Sequence, residues 1–162
     1  MIDLENLEST VIRTFRSSGY RATSQRIAIG MYILRNHEHP TAQKAYLEVK
    51  KMHPTVSLAT IYNTIKILKD NGLIRELNMP HRQTRFDPNT KPHVHLICTQ
   101  CGDIRDWMDP IMPKLISRVS EDANFTVTGS SLDLNGVCED CYRKAKENVR
   151  MASEPGESIQ AG

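Results

Sequence analysis

Apolar residues recur at helical spacing through the first half of the chain. Leu4, Leu7, Val11, Ile12 and Phe15 fall on one face of a helix that ends near Gly19. Ile27, Met31, Ile33 and Leu34 mark a second face, with Thr23 or Ser24 placed to cap its start. His39-Pro40 interrupts the pattern, since proline disfavours helical geometry in the residue before it. Thr41 then caps a third helix carrying Ala45, Leu47 and Val49, and Pro54 ends the following turn. Ser57 caps a fourth, with Leu58, Ile61, Ile65 and Leu68 on its apolar face and Gly72 suited to the position after its C-cap. Two extended stretches, Leu73–Leu77 and Thr84–Asp87, are joined by a polar segment containing Pro80. Three helices, a recognition helix spanning about Ser57 to Lys69 and a two-stranded wing make a winged helix-turn-helix pattern.

The pattern changes at Pro88–Pro92, which reads as a hinge. His95–Cys98 and Ile104–Trp107 read as strands, Pro110–Glu121 as a helix with Ile111, Leu115, Ile116 and Val119 on one face, and Phe125–Leu134 as an alternating strand. Cys138 to Val149 begins at a cysteine pair and becomes a charged helix. The fold class expected is α+β. It comprises an N-terminal winged-helix DNA-binding domain (1–87), a hinge (88–92), a C-terminal α/β dimerisation and metal-binding domain (93–149) and a disordered tail (150–162). So small a second domain gains a fuller core by pairing with a second copy, so a homodimer is expected.

Charge sharpens this division. Met1–Arg85 holds 13 Lys or Arg against 7 Asp or Glu, and the remainder 8 against 12, so a balance of +6 is followed by −4. The basic half suits a polyanionic partner, although scattered surface charge produces the same count. The acidic, amphipathic opening MIDLENLESTVIR is unlike a secretory signal, and no apolar run approaches the roughly 20 residues that span a bilayer, so a cytoplasmic protein without membrane partners is expected.

The four cysteines fall in two pairs, Cys98-x-x-Cys101 and Cys138-x-x-Cys141, with 36 residues between. In a cytosolic chain such pairs point to metal rather than to disulfides. Four thiolates suit one tetrahedral Zn2+ and leave no open position, which makes the site structural. A redox Cys-x-x-Cys is the alternative, but it does not need a second matching pair.

His93-x-His95 lies just upstream. On a strand, residues two apart face the same side, so both imidazoles can meet one ion. Asp87 precedes them, Asp106 follows on the next expected strand, and His39 sits between the second and third helices. Nitrogen and carboxylate ligands in this mixture suit Fe2+, Mn2+ or Zn2+; two solvated strand histidines are the plainer reading. On the fourth helix, Ser57, Thr60, Asn63, Thr64 and Lys66 form a polar face with Ala59 and Tyr62 nearby. Small and amide groups there can approach base edges, Lys66 can neutralise phosphate, and Arg26 early in the second helix is placed for a phosphate contact. A solvated amphipathic helix has the same pattern.

Taken together, TSQR (Thr23–Arg26), HPTA (His39–Ala42), SLATIYNT (Ser57–Thr64), RFD (Arg85–Asp87), HVHLICTQCG (His93–Gly102) and VCEDC (Val137–Cys141) resemble the ferric uptake regulator family of metal-dependent repressors. The resemblance runs from about Leu4 to Cys141 and is strongest to the peroxide regulator branch. It implies a metal-dependent repressor that binds a palindromic double-stranded operator as a homodimer. It also implies Fe2+ or Mn2+ at His39, Asp87, His93, His95 and Asp106 as the regulatory ligands, with zinc on the four cysteines. Iron-sensing relatives tend to carry glutamates where this chain has Asp87 and Asp106, and zinc-sensing relatives often place a cysteine near Asp87. A further family site uses a histidine near Gly129-Ser130-Ser131, and this chain has none there. In the peroxide branch, bound Fe2+ reacts with H2O2 and a ligand histidine is oxidised; the matching positions here are His39 and His93.

Three other readings compete. One is an iron- or manganese-responsive repressor of the same family without peroxide sensing. Another is a zinc-dependent enzyme built on His93, His95 and Asp106, which lacks an evident general base or oxyanion donor. The third is a redox switch on the cysteines. No catalytic constellation emerges, and a non-enzyme is expected.

Overall fold

The structure is a computed structural model that describes residues 6–78 and 83–152. The expected roles of Leu4 and Pro80, and the tail from 153 onward, lie outside the described residues. Six helices and five strands follow one another in the described chain, which divides into two units, Met1–Lys91 and Pro92–Gly162.

The first unit packs α1 (Leu7–Ser17), α2 (Ser24–Arg35), α3 (Ala42–Met52) and α4 (Leu58–Asp70), followed by the hairpin strands β1 (Arg75–Leu77) and β2 (Arg85–Asp87). Hydroxyls start three of these helices. Thr23, Thr41 and Ser57 accept the backbone N–H groups of Arg26, Lys44 and Thr60, supplying partners that the first turn lacks. Helix α4 ends as its sequence directs. Gly72 adopts φ +69°, the Leu73 N–H reaches the Leu68 carbonyl, and the Gly72 N–H reaches that of Lys69, a Schellman closure.

Val11, Phe15, Ile29, Ile33, Ala45 and Ile61 are wholly buried where the four helices meet. Gly30 lets α1 and α2 approach closely, since a Cβ there would lie 2.9 Å from Val11 Cγ1. Two positions expected inside are exposed, Leu47 (53%) and Leu58 (39%). Both sit where the helix turns its flank to solvent, and Ile29, which the periodicity passed over, takes the central place on α2.

In the second unit β3 (Val94–Cys98) is the middle strand, antiparallel to β4 (Ile104–Trp107) and parallel to β5 (Leu132–Gly136). Helix α5 (Ile111–Asp122) lies between β4 and β5 in the chain, and α6 (Glu139–Ala152) follows β5. The strand expected from Phe125 is shorter and later. Asn124, at φ +48°, closes α5, the Phe125 N–H bonds back to the Ser120 carbonyl, and pairing begins only at Leu132. Helix α6 also runs past the expected end at Val149, to Ala152.

Little of this unit is buried. Helix α5 covers only Met112, every residue of β5 is exposed, and Ile111, Leu115, Phe125, Leu134 and Val137 show apolar surface. No helix among the described residues is long and apolar enough to cross a membrane.

Candidate metal centres and the exposed face of helix α4

The two cysteine pairs meet. Cys98 ends β3, Cys101 lies in the turn to β4, and Cys138 and Cys141 stand at the start of α6, with all four sulfurs within 4.8 Å of one another. The turn is held by Gly102 at φ +76°, by the Gly102 N–H on the Cys98 carbonyl and by the Cys98 N–H on the Asp103 carbonyl. The Cys101 and Cys138 sulfurs are 3.8 Å apart. That is about the edge, ~3.8 Å, of a sulfur tetrahedron around an ion with 2.3 Å bonds, so the cluster fits Zn2+.

The thiols differ in acidity. Cys98 is drawn down to about 5, chiefly because the Cys138 backbone N–H donates to its sulfur, with help from the Cys101 N–H. Cys141 is pushed up to about 12, first by hydrogen bonding with the Cys138 sulfur and then with that of Cys101. One sulfur is therefore ready to ligate, and another holds its proton until an ion replaces it.

A second cluster stands at the start of β3. His93 and His95 are both buried, and their Nε2 atoms face each other across 2.8 Å. Asp106 of β4 lies opposite His95 in the ladder, and its Oδ1 is 3.3 Å from His93 Nε2 and 3.9 Å from His95 Nε2. Two imidazole nitrogens bound side by side on one ion, with bonds near 2.1 Å, stand about 3 Å apart. The pair is thus arranged as neighbouring ligands, with a hard carboxylate beside them that suits Fe2+ or Mn2+. Asp106 was expected on the strand next to the two histidines, and it stands there, opposite His95. Asp133 was not singled out: it faces His95 from β5, with its Oδ1 3.0 Å from His95 Nδ1, and only the pairing of β5 with β3 shows this.

In the first unit, His39 and Asp87 are both buried, with Nε2 3.8 Å from Oδ1. The backbone brings them together. The Phe86 N–H donates to the Pro40 carbonyl, Thr41 bridges Arg85, and the Arg85 guanidinium donates to the His39 carbonyl. His39 sits at φ +53°, a left-handed conformation uncommon for any residue but glycine and unusual just before proline. Such strain persists only where neighbours enforce it. The Asn89 N–H also donates to Asp87 Oδ1 at 2.7 Å.

Along α4, Ser57, Ala59, Tyr62, Asn63 and Lys66 are exposed and Thr60 is half-buried. Thr64 does not belong to this face: it is fully buried, and among the described residues its hydroxyl has no hydrogen-bond partner. A window of polar residues does not say which turn of the helix meets the core. Ser57 Oγ and Thr60 Oγ1 lie 2.9 Å apart, and Lys66 is paired with Asp70 at 2.6 Å. The Arg26 guanidinium stacks 5.3 Å from the Tyr20 ring centroid and donates to the Arg21 carbonyl. Tyr20, Arg26, Asn63 and Lys66 line one polar recess.

The sequence signature of the ferric uptake regulator family matches residues 17–135. The peroxide-responsive repressor PerR of Staphylococcus aureus is 36% identical over 146 residues, covering 88% of this chain and 99% of that protein. Among solved structures, the peroxide stress regulator of Campylobacter jejuni superposes with a TM-score of 0.67 at 28% identity, covering 87% of this chain and all of that one (100%). The ferric uptake regulator Fur of Helicobacter pylori shares the fold, with a TM-score of 0.74 at 18% identity over 86% and 94% of the two chains.

Proposed function

This chain belongs to the ferric uptake regulator family, and we propose that it acts as a cytoplasmic, homodimeric, metal-dependent repressor that responds to peroxide. The observation that carries the reading is the facing pair His93 and His95 with Asp106 beside them, in a chain 36% identical to a peroxide-responsive repressor.

Each part of the chain has a role in this reading. The four cysteines hold Zn2+ and tie the end of β3 to the start of α6. His93, His95 and Asp106 hold Fe2+ or Mn2+, with His39 and Asp87 completing the ligand set. Fe2+ held by these side chains would supply reducing power towards H2O2. His39 and His93 are the imidazoles open to oxidation, and their loss as ligands abolishes the bound state. A metal that binds one conformation more tightly shifts the population towards it, and DNA affinity follows by linkage.

DNA meets the exposed face of α4. Ala59, Tyr62 and Asn63 are free to approach base edges in the major groove, while Ser57 and Thr60 shape the start of the helix. Arg26 and Lys66 border the recess of Tyr20 and Asn63 and meet phosphates. The exposed apolar residues Leu96, Leu134, Val137, Ile111, Leu115 and Phe125 supply the surface for a second copy. Two copies present two such helices, which suits a palindromic operator.

The test is DNA binding by the purified chain loaded with Fe2+ or with Mn2+, before and after H2O2. The iron form is expected to release its operator and the manganese form to stay bound. Peptides containing His39 or His93 should gain the mass of one oxygen atom only in the iron form. Equal behaviour of both forms, with no oxidised histidine, leaves a repressor switched by reversible metal binding alone.

A further inference from the structure

His95 is flanked on both sides. In the three-stranded sheet it is opposite Asp106 on β4 and opposite Asp133 on β5, so one row across the strands reads Asp106, His95, Asp133. The two aspartates meet different ring nitrogens. Asp106 lies on the Nε2 side, and Asp133 Oδ1 is 3.0 Å from Nδ1. An ionised carboxylate only accepts hydrogen bonds, so at this contact Nδ1 carries the proton and donates. The neutral ring is then held in the tautomer whose lone pair is on Nε2, the nitrogen that faces His93 Nε2 across 2.8 Å. The Ser131 hydroxyl donates to the same Asp133 oxygen at 3.3 Å, which steadies the carboxylate.

We propose that Asp133 is a positioning residue for the regulatory ion: through the Nδ1 hydrogen bond it selects the ligating tautomer of His95, fixes the ring's orientation and raises the basicity of Nε2. The inference rests on His93, His95 and Asp106 holding a divalent ion. It assigns the fifth strand, otherwise wholly exposed, a part in metal affinity. The parallel register supplies the geometry, because β5 is the only described strand on that side of β3 and Asp133 is its residue opposite His95. A carboxylate behind a ligating imidazole restricts its rotation and increases its donor strength, and removing such a partner typically costs 10–100-fold in metal affinity.

The experiment uses the full chain, with zinc on its cysteines and Mn2+ as the probe ion, titrated against a fluorescent chelator. Asp133→Ala is expected to weaken Mn2+ binding by roughly 10–100-fold, with the zinc content unchanged. Asp133→Asn keeps the shape and an accepting oxygen and should fall between, and Asp133→Glu should recover most of the affinity. Nitrogen-15 NMR of the Mn2+-free protein should show His95 protonated at Nδ1 in the parent and in a tautomer mixture in Asp133→Ala, a readout that a merely structural role of Asp133 does not move. Parent-like Mn2+ affinity in both Asp133→Ala and Asp133→Asn overturns the proposal, as does an unchanged His95 tautomer. His95→Ala separates the two levels. If it abolishes Mn2+ binding while Asp133→Ala does not, the ion site stands and the positioning role fails; if it binds Mn2+ like the parent, the site reading fails and takes the proposal with it.

Discussion

His93 Nε2, from the residue just before β3, and His95 Nε2, from β3 itself, lie 2.8 Å apart. At that distance two nitrogen lone pairs repel unless a proton or a cation lies between them, so the pair is poised to bind one or the other. Replacing either histidine by alanine should weaken Mn2+ binding by more than about 100-fold, beyond what loss of an indirect partner costs. Zinc content measured by mass spectrometry should stay at its parent level, because the cysteine cluster is built from other residues.

The cysteine cluster makes a prediction about protons. Cys98, at about 5, lies below its ordinary value because the Cys138 N–H stabilises its thiolate. A group depressed in this way favours folding fully above its ordinary value, and the contribution fades as pH falls through about 5. At pH 7 Cys98 is already a thiolate, so zinc uptake should release fewer than four protons. Calorimetry in buffers of different ionisation enthalpy measures the number, and a release of four contradicts the assignment. Acidification towards 5 should loosen zinc, since protons then compete at Cys98 as well.

Thr64 buries a hydroxyl that has no partner among the described residues. Leaving such a group unsatisfied costs about 1–3 kcal/mol, and valine has nearly the same shape. Thr64→Val should therefore raise the stability of the four-helix unit by about 1 kcal/mol, read as a higher denaturation midpoint at unchanged slope. A lower midpoint would show that the hydroxyl has a structural task in the core of α4.

The Lys66–Asp70 pair bears on DNA binding. Both side chains are well exposed, so the bond adds little stability, and the Asp70 charge weakens the attraction of Lys66 for phosphate. Lys66→Ala should reduce the salt dependence of duplex binding by about one unit of slope. Asp70→Asn should tighten binding to any duplex, with little change in sequence preference. Both are read by fluorescence anisotropy over a salt series.

Much of the first unit was legible in the chain. Thr23, Thr41, Ser57 and Gly72 act within a few residues of themselves, so their capping and closing roles could be read from spacing. The same holds for the two Cys-x-x-Cys pairs, whose separation and chemistry already pointed to one tetrahedral ion, and for His93 and His95, two residues apart and so able to meet one ion.

What the tertiary structure decided were relationships between distant residues. Which flank of α4 faces the core depends on α2 and α3, so Thr64 went inside and Leu58 outside, against the reading by pattern. The strand that completes the sheet began at Leu132 rather than Phe125, because Asn124 closes α5 in a left-handed turn and β3 offers a partner only to the later residues. His39 and Asp87 were brought together by backbone hydrogen bonds between the Pro40 loop and β2. The contact of Asp133 with His95 exists only because β5 runs parallel to β3 in one particular register. Local spacing specifies caps, turns and ligand pairs since those forces act over a few residues. The pairing of strands is settled by backbone hydrogen bonds between distant residues, and the orientation of a helix against its neighbours by burial; the first of these gave His95 its partners on either side.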